Sequence, residues 1–308
     1  MTMVSNHYHI PVLLQVCVDS LQINPNGIYV DLTFGGGGHS KEILKHLSNS
    51  ANGGGKLISF DQDEDAAKNV PDDKRLIFVQ QNFRHLKNYL RLNGIAEVDG
   101  ILGDLGVSSH QFDVAERGFS IRLDAELDMR MNQSSDLSAY NVINEYDEKQ
   151  LTFIFKTYGE LDNAYKLAKL ICEARGTEPI KTIDEFKKAI SSCTPKFETN
   201  RYLAKVFQAI RMEVNQELEA LKEFLLQSAE VLKQGGRLVV ISYHSLEDRL
   251  VKDFTKTGNF EGQDEKDFFG NKKNIFKTIT KKPVTPSGEE IEKNPRARSA
   301  KMRVAEKI

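Results

Sequence analysis

The sequence predicts an α/β fold in which a parallel sheet is covered by helices and interrupted by an all-helical insertion. Between about residues 28 and 106, short apolar runs alternate with segments of helical periodicity, as expected for a parallel sheet. From about residue 112 to 210 the strand pattern disappears, and capped helical segments replace it. The alternating pattern then resumes, so the helical part interrupts one domain and does not follow it.

The elements follow one another in a regular order. Four strands are predicted first, at GIYVDL, KLISF, RLIFVQ and DGILGDL, with helices over 39–48, 63–69 and 83–93 between them. The insertion holds the helical segments DEKQLTFIFKTYGE, NAYKLAKLICEA and TIDEFKKAISSC. A long helix over about 212–233 ends at Gly235 and Gly236, before the strand RLVVIS and the helix HSLEDRLVKDFTK. Two weaker strands, IFKTIT and AKMRVAEK, are expected to pair as an antiparallel edge that closes the sheet.

Length and composition limit the possible classes of protein. The chain has 308 residues, is 40% hydrophobic and carries a formal net charge of -2, which is compatible with two domains. We expect one discontinuous domain formed by residues 1–112 and 212–308, and an insertion at 113–211 that recognises the substrate. The first residues resemble no leader and no window reaches the length of a membrane span, so we expect a soluble, cytoplasmic protein without membrane partners. Cys17, Cys172 and Cys193 form no CxxC pair, and we expect no metal site.

The basic residues are concentrated near the end of the chain. From Lys272 to Ile308 there are eleven Lys or Arg and four Glu, a local net charge of about +7. Arginine binds phosphate through two parallel hydrogen bonds, so this tail is a candidate RNA contact. A solvated surface tail is the alternative.

The stretch DLTFGGGGHS, residues 31–40, lies where a strand turns into a helix. Such a turn commonly binds phosphate on backbone N–H groups. A P-loop would need Gly-Lys-Ser or Gly-Lys-Thr here, and a dinucleotide fingerprint would need a third glycine where Ser40 stands. The glycines alone fit any nucleoside-containing ligand, or a tight turn.

Acidic residues at successive strand ends narrow the choice of ligand. Asp61 follows the second strand and is placed to accept ribose hydroxyls, although capping of the next helix is an alternative for Asp61 and more so for Asp63. Asp31 and Asp104 flank the glycines, where they would attract an ammonium or sulfonium group and repel a pyrophosphate. S-adenosylmethionine fits this pattern better than a dinucleotide does.

Several long motifs in the sequence resemble those of a known protein family. DLTFGGGGHS, DGILGDLGVSSHQFDVAERGFS, LDMRM, FQAIRMEVNQEL, ISYHSLEDRLVKDF and NPRARSAKMRVAEK resemble the ribosomal RNA small subunit methyltransferase H family, also called MraW, from about His9 to Lys307. The resemblance implies a Rossmann-like class I methyltransferase domain with an inserted helical domain. It also implies transfer of a methyl group from S-adenosylmethionine to the N4 amino group of a cytidine in the decoding region of 16S ribosomal RNA. The implied partner is that RNA in the small ribosomal subunit, and the chain is expected to be a monomer or a homodimer.

The resemblance also assigns cofactor contacts to individual positions of this chain. They are Gly37, Gly38, His39, Asp61, Phe83, Asp104 and Gln111. The sequence departs from the family pattern at Gly36, at Gly103 within the fourth strand and at His110. None of these departures removes a contact residue; we expect Gly36 to matter least of the four glycines and Gly103 to affect stability slightly.

The catalytic residue is left unassigned. Many amino-methyltransferases carry an Asp-Pro-Pro-Tyr or Asn-Pro-Pro-Tyr motif after the fourth strand, whereas this chain has DLGVSS. Asp104 and His244 are candidates, although Asp104 also has the cofactor role and His244 is equally well explained as a helix cap. The candidate RNA-binding residues are Arg117, Arg130, Arg201, Arg211, Arg296, Arg298 and Arg303.

Three other functions fit parts of the pattern. A nicotinamide dehydrogenase would need the missing third glycine. A small-molecule methyltransferase would explain the near-neutral charge. A ribosome-binding assembly factor with the same fold but little chemistry is the third alternative.

Overall fold

The computed structural model describes residues 11–49, 54–264 and 274–308. Within these residues seven strands form one sheet in the order β3-β2-β1-β4-β5-β7-β6. The strands are β1 (Ile28–Asp31), β2 (Lys56–Phe60), β3 (Leu76–Val79), β4 (Val98–Asp104), β5 (Leu232–Ser242), β6 (Phe276–Thr278) and β7 (Lys301–Lys307). Strands β1 to β5 are parallel, and β7 pairs antiparallel with both β5 and β6. The predicted antiparallel edge is therefore confirmed.

Twelve α-helices accompany this sheet in the described part of the chain. They are α1 (Leu14–Leu21), α2 (Gly38–His46), α3 (Leu86–Leu92), α4 (Ser109–Asp113), α5 (Ala139–Glu145), α6 (Glu148–Thr157), α7 (Ala164–Arg175), α8 (Ile183–Ala189), α9 (Thr199–Val214), α10 (Glu217–Val231), α11 (Ser245–Thr257) and α12 (Gly288–Lys293). Short 3-10 helices occupy Glu64–Asn69 and Phe83–His85, where the sequence predicts that ordinary helices begin.

Both faces of the sheet are buried. Along β1, Tyr29 packs into one apolar cluster and Val30 into another, and Leu57 and Ile58 of β2 divide in the same way. Successive side chains of a strand point to opposite faces, so the two clusters lie on opposite sides of the sheet. This explains why the parallel strands read as continuous apolar runs in the sequence.

The chain divides into two compact units. One comprises Met1–Gly106 together with Leu218–Ile308 and contains the sheet, and the other is Val107–Glu217. The second unit holds α4 to α9 and only an isolated bridge between Glu126 and Thr182 among its described residues. The predicted fold class, an α/β domain interrupted by a helical insertion, is confirmed.

Capping residues delimit the helices of this helical unit. Four of the six helices begin with a capping box, in which the residue just before the helix and the residue three positions later each accept, through the side chain, a hydrogen bond from the other's backbone N–H group. The pairs are Ser108 with Gln111, Ser138 with Asn141, Asp147 with Gln150, and Thr182 with Glu185. These signals are local in sequence, so the helical character of the insertion can be recognised from the order of its residues.

The predicted long helix over 212–233 is wrong in its start and its end. Helix α9 stops at Val214 and α10 starts at Glu217, because Gln216 adopts a left-handed conformation with φ of 48°. Gly235 and Gly236 do not end a helix but lie within β5, where Gly235 has a φ of 78° and the register with β4 shifts.

No helix in the described ranges has both the length and the apolar character that crossing a membrane requires. The expectation that the first residues form no leader falls largely on residues 1–10, which lie outside the described part of the chain.

Candidate cofactor site

Backbone hydrogen bonds, both within the turn and to strand β2, hold the glycine turn between β1 and α2. Phe34 N–H donates to the carbonyl of Phe60 at 2.8 Å, and Gly37 N–H donates to the carbonyl of Phe34 at 2.7 Å. Gly37 has a φ of 74°, a conformation that glycine adopts without strain, and a Cβ there would lie 2.7 Å from Cζ of Phe34. A Cβ on Gly38 would lie 2.1 Å from Cγ of Pro11. Contacts within the chain therefore already require glycine at positions 37 and 38.

Gly35 differs from these two glycines. Its φ is 50°, and a Cβ added there would meet nothing within 4 Å. Its N–H donates to Oδ2 of Asp61 at 2.7 Å, and its carbonyl accepts from the side chain of Asn69 at 3.1 Å. The open space beside the turn is therefore at Gly35, a position that is absent from the predicted cofactor contacts.

Asp61 joins the glycine turn to the end of β2. Besides Gly35, it accepts from the backbone N–H of Asp63, whose N to Oδ1 distance is 2.9 Å. A carboxylate offers about four acceptor positions, so Asp61 retains capacity for ligand hydroxyls. The capping role belongs to Asp63, which accepts from Asp65 N–H at 3.0 Å at the start of the Glu64–Asn69 helix.

Asp31 is part of a buried polar network below the turn. Its Oδ2 accepts from the hydroxyl of Ser40 at 2.6 Å, and that hydroxyl lies 2.7 Å from Oγ of Ser59. Oδ1 of Asp31 accepts from Thr33 N–H at 3.1 Å. Ser40, which stands where a dinucleotide fingerprint has glycine, is thus needed to satisfy the Asp31 carboxylate.

Asp104 is fixed from two sides at the end of β4. Its N–H donates to the hydroxyl oxygen of Thr33 at 2.8 Å, and its Oδ1 accepts from the hydroxyl of Tyr243 at 2.8 Å. Tyr243 follows β5 directly. Neither Thr33 nor Tyr243 was a candidate from sequence, because each acts through a partner that is distant along the chain.

These carboxylates share an environment that favours a cation. The pKa values of Asp31, Asp61 and Asp104 are each raised to about 6, mainly by burial, and for Asp61 and Asp104 the charge of Asp31 is a smaller part of this rise. A positively charged ligand would lower these pKa values again by stabilising the ionised carboxylates, whereas a pyrophosphate would be repelled. These three carboxylates therefore fit the ammonium and sulfonium groups of S-adenosylmethionine.

The remaining predicted contact residues have structural partners as well. His39 is buried, with Nε2 lying 3.1 Å from the carbonyl oxygen of Val12. Phe83 is half-buried and packs edge-to-face on Phe224 with ring centroids 5.8 Å apart. Gln111 lies in the helical unit, where its Oε1 accepts from Ser108 N–H at 3.0 Å.

His244 is the residue immediately before helix α11 and caps its N-terminus. Its Nδ1 accepts from the backbone N–H of Glu247 at 3.4 Å, and its Nε2 lies 3.2 Å from Oε1 of Glu247. The side chain is 8% exposed, so the helix-cap alternative describes its geometry. A catalytic role for His244 stays a prediction.

The candidate RNA-binding arginines fall into two groups. Four are engaged by acceptors within the chain: Arg117 by the carbonyls of Arg130 and Met131, Arg130 by Asp128, Arg211 by Glu217, and Arg303 by Asp248. Three others have exposed side chains: Arg201, which still pairs with Glu198 at 3.3 Å, Arg296 and Arg298. The geometry favours a structural role for the first group and leaves the second accessible to phosphate.

One of the three departures from the family pattern, Gly103, has a local structural reason. Gly103 pairs regularly with Val240, and a Cβ there would lie 3.1 Å from Cδ1 of Leu32, which fills the space beside it. The carbonyl of Gly36 accepts from Nζ of Lys41 at 3.2 Å. His110 lies on the exposed side of α4.

The sheet order, the antiparallel strand β7, the glycine turn after β1 and the acids at the strand ends define a class I S-adenosylmethionine-dependent methyltransferase. A family model described as the MraW methylase family matches residues 6–308. The chain therefore belongs to the MraW methylase family, as its motifs predict.

Curated relatives agree with this assignment. A protein named ribosomal RNA small subunit methyltransferase H from Flavobacterium johnsoniae is 60% identical over 301 residues, covering 98% of each chain. Proteins of the same name from Flavobacterium psychrophilum and Phocaeicola vulgatus are 58% and 56% identical, covering 96% and 97% of this chain and 100% and 97% of theirs.

Proposed function

We propose that this chain methylates 16S ribosomal RNA, transferring a methyl group from S-adenosylmethionine to the N4 amino group of a cytidine in the decoding region. The observation that carries the proposal is the set of acids Asp31, Asp61 and Asp104, one buried and two half-buried, around a glycine turn that completes neither phosphate-binding signature. The relatives' name adds the RNA of the small subunit as the substrate class. We place the activity in the cytoplasm because ribosomal subunits are its substrate.

The cofactor would be held by residues of the sheet domain. Asp61 has acceptor capacity left for the ribose hydroxyls, and the open space at Gly35 lies beside it. Phe83 offers an aromatic edge near the end of β3, and Asp104 a carboxylate for the amino-acid end. When bound, S-adenosylmethionine supplies an electrophilic methyl group.

The target amino group is a poor nucleophile because its lone pair is delocalised into the cytosine ring. The protein must therefore align the amino group with the methyl group and allow a proton to leave during or after transfer. We propose that the base is presented unstacked, as enzymes that modify bases require, and that the helical unit recognises the surrounding RNA. The proton acceptor is unassigned, with Asp104 and His244 as the candidates.

Cofactor binding separates this proposal from a dehydrogenase. Saturating S-adenosylhomocysteine should raise the thermal midpoint, since a ligand at 100 times its Kd stabilises the folded state by about 2.7 kcal/mol. NAD at the same concentration should have no effect. Protection by NAD alone would contradict the proposal.

A labelled-cofactor assay separates RNA from small-molecule substrates. We expect the label to enter small-subunit RNA and not free nucleosides. Label in nucleosides alone would favour a small-molecule methyltransferase, and binding to the subunit without label would favour an assembly factor.

The exposed arginines of the tail are the proposed phosphate contacts. Replacing Arg296 and Arg298 by Ala should weaken the apparent affinity for the RNA substrate, with a smaller salt dependence, because each lost phosphate contact removes counterion release. A matched control replaces Lys45 and Lys68, whose side chains are 69% and 75% exposed elsewhere on the sheet domain. Equal affinities for the two double variants at physiological salt would refute this contact.

A further inference from the structure

The hydroxyl of Tyr243 lies at the carboxyl edge of the sheet, beside a proposed cofactor contact. Strand β5 pairs with β4 so that Ile241 is opposite Asp104, and Leu105 N–H donates to the carbonyl of Ile241 at 3.0 Å. Two residues beyond Ile241, Tyr243 directs its hydroxyl to Oδ1 of Asp104 at 2.8 Å. The pair is 139 residues apart in sequence, so only the strand order brings it together.

The tyrosine is held in place by contacts at both ends. Its backbone N–H donates to Oε2 of Glu247 at 3.0 Å, and its ring packs against the apolar cluster that contains Cys17 and Ile241. Since the backbone and the ring are both fixed, the hydroxyl has a defined direction.

The carboxylate of Asp104 is consequently oriented as well. Its backbone is fixed by the hydrogen bond to Thr33, and Oδ1 is occupied by Tyr243. Among the residues that the structure describes, none donates a hydrogen bond to Oδ2. One oxygen is therefore anchored by the protein, and the other is left for a ligand.

We propose that Tyr243 is a positioning residue, which anchors Oδ1 of Asp104 and thereby presents Oδ2 to the ammonium group at the amino-acid end of the cofactor. The inference rests on the proposed function, which assigns Asp104 to the cofactor. Tyr243 acts only as a donor, because burial and the nearby Asp104 charge raise the pKa of its hydroxyl far above its usual value. It cannot be the missing proton acceptor at neutral pH.

The charges around Asp104 determine how it titrates. Burial is the largest cause of its raised pKa. His39 at the start of α2 and the Tyr243 hydrogen bond lower this pKa, while Asp31 at the end of β1 and Glu247 on α11 raise it. The Tyr243 hydroxyl therefore favours the ionised carboxylate that binds a cation. Removing the hydroxyl should raise the Asp104 pKa and move the loss of cofactor affinity to higher pH.

The test compares Tyr243→Phe, Asp104→Asn and the double variant by calorimetric titration with S-adenosylhomocysteine from pH 5 to pH 8. We expect Tyr243→Phe to weaken binding about tenfold at pH 7, as for loss of a hydrogen bond to a charged group. The pH at which half the affinity is lost should rise, and the methyl-transfer rate at saturating cofactor should recover. In the Asp104→Asn background, Tyr243→Phe should have little further effect.

A matched control removes another buried hydroxyl. Tyr202→Phe deletes a hydroxyl that donates to Oδ1 of Asn163 at 3.1 Å in the helical unit, and cofactor affinity should not change. Thermal unfolding without ligand identifies any variant that fails to fold. If Tyr243→Phe is unfolded, Tyr243→Met, which also lacks the hydroxyl, takes its place in the same titrations.

The results distinguish a wrong cofactor role for Asp104 from a wrong positioning role for Tyr243. If Asp104→Asn leaves affinity unchanged, the cofactor role of Asp104 is refuted, and the positioning role of Tyr243 with it. If Asp104→Asn weakens binding while Tyr243→Phe changes neither the affinity nor its pH dependence, only the positioning role is overturned.

Discussion

Replacing Gly38 by Ala tests whether the glycine turn is shaped by the protein itself. The new Cβ would lie 2.1 Å from Cγ and 3.0 Å from Cδ of Pro11, whereas carbon atoms in contact are normally about 3.5–4.0 Å apart. Pro11 would have to move by roughly 1 Å or more to restore normal contact. That shift would disturb Val12, whose carbonyl lies 3.1 Å from Nε2 of His39.

The expected cost is that of overpacking a well-packed interior, about 1–3 kcal/mol. For a domain of about 200 residues each kcal/mol lowers Tm by about 2–4 °C, so a loss near 2 kcal/mol corresponds to about 4–8 °C. Differential scanning fluorimetry without ligand measures this directly. A Gly38→Ala variant as stable as the parent protein would refute the packing argument.

Comparing Gly35→Ala with Gly38→Ala separates the effect of packing on stability from an effect on cofactor binding. Its Cβ would meet nothing within 4 Å, although the φ of 50° imposes a backbone cost of about 1–2 kcal/mol on alanine. If the open space at Gly35 holds the cofactor, this variant should lose more affinity for S-adenosylhomocysteine than Gly38→Ala does. Equal affinities in the two variants would contradict that use of the space.

Three further outcomes are expected. Affinity for S-adenosylhomocysteine should fall about tenfold between pH 7.5 and pH 5, because a carboxylate whose pKa is about 6, as for Asp104, is only about one-tenth ionised at pH 5; a flat titration profile would contradict the carboxylate cluster. Arg211→Ala should lower the free energy of unfolding by about 3–5 kcal/mol, since it breaks the largely buried pair with Glu217, and urea unfolding would measure this. Of alanine substitutions at the four glycines, Gly36→Ala should change cofactor affinity least in the same titration, and a larger loss there than at Gly37 would contradict this ranking.

The sheet was predictable because its signal is local. Strands buried on both faces appear as short apolar runs, and capping boxes such as Ser138 with Asn141 mark helix starts within four residues. The predicted long helix over 212–233 is wrong because its break depends on the left-handed conformation of Gln216, a residue type that gives no warning of it.

The position of the acids at the candidate site could be predicted from the sequence, but the residues that orient these acids could not. Asp61 and Asp104 stand at strand ends, where ligands of open α/β sheets bind. Ser40 and Tyr243 act through hydrogen bonds to Asp31 and Asp104, and these depend on which strands become neighbours. For the same reason the sequence could not separate the exposed arginines from those that are half-buried or buried against acceptors of the chain.

The proposed reaction is tested most directly by nucleoside mass analysis after methyl transfer in vitro. Small-subunit RNA from cells lacking this protein would be incubated with the purified chain and S-adenosylmethionine, digested and compared with a sample treated with the Asp104→Asn variant. We predict the appearance of one N4-methylated cytidine in the RNA treated with the parent protein. A methyl group on a different nucleoside, or none, would contradict the proposed reaction.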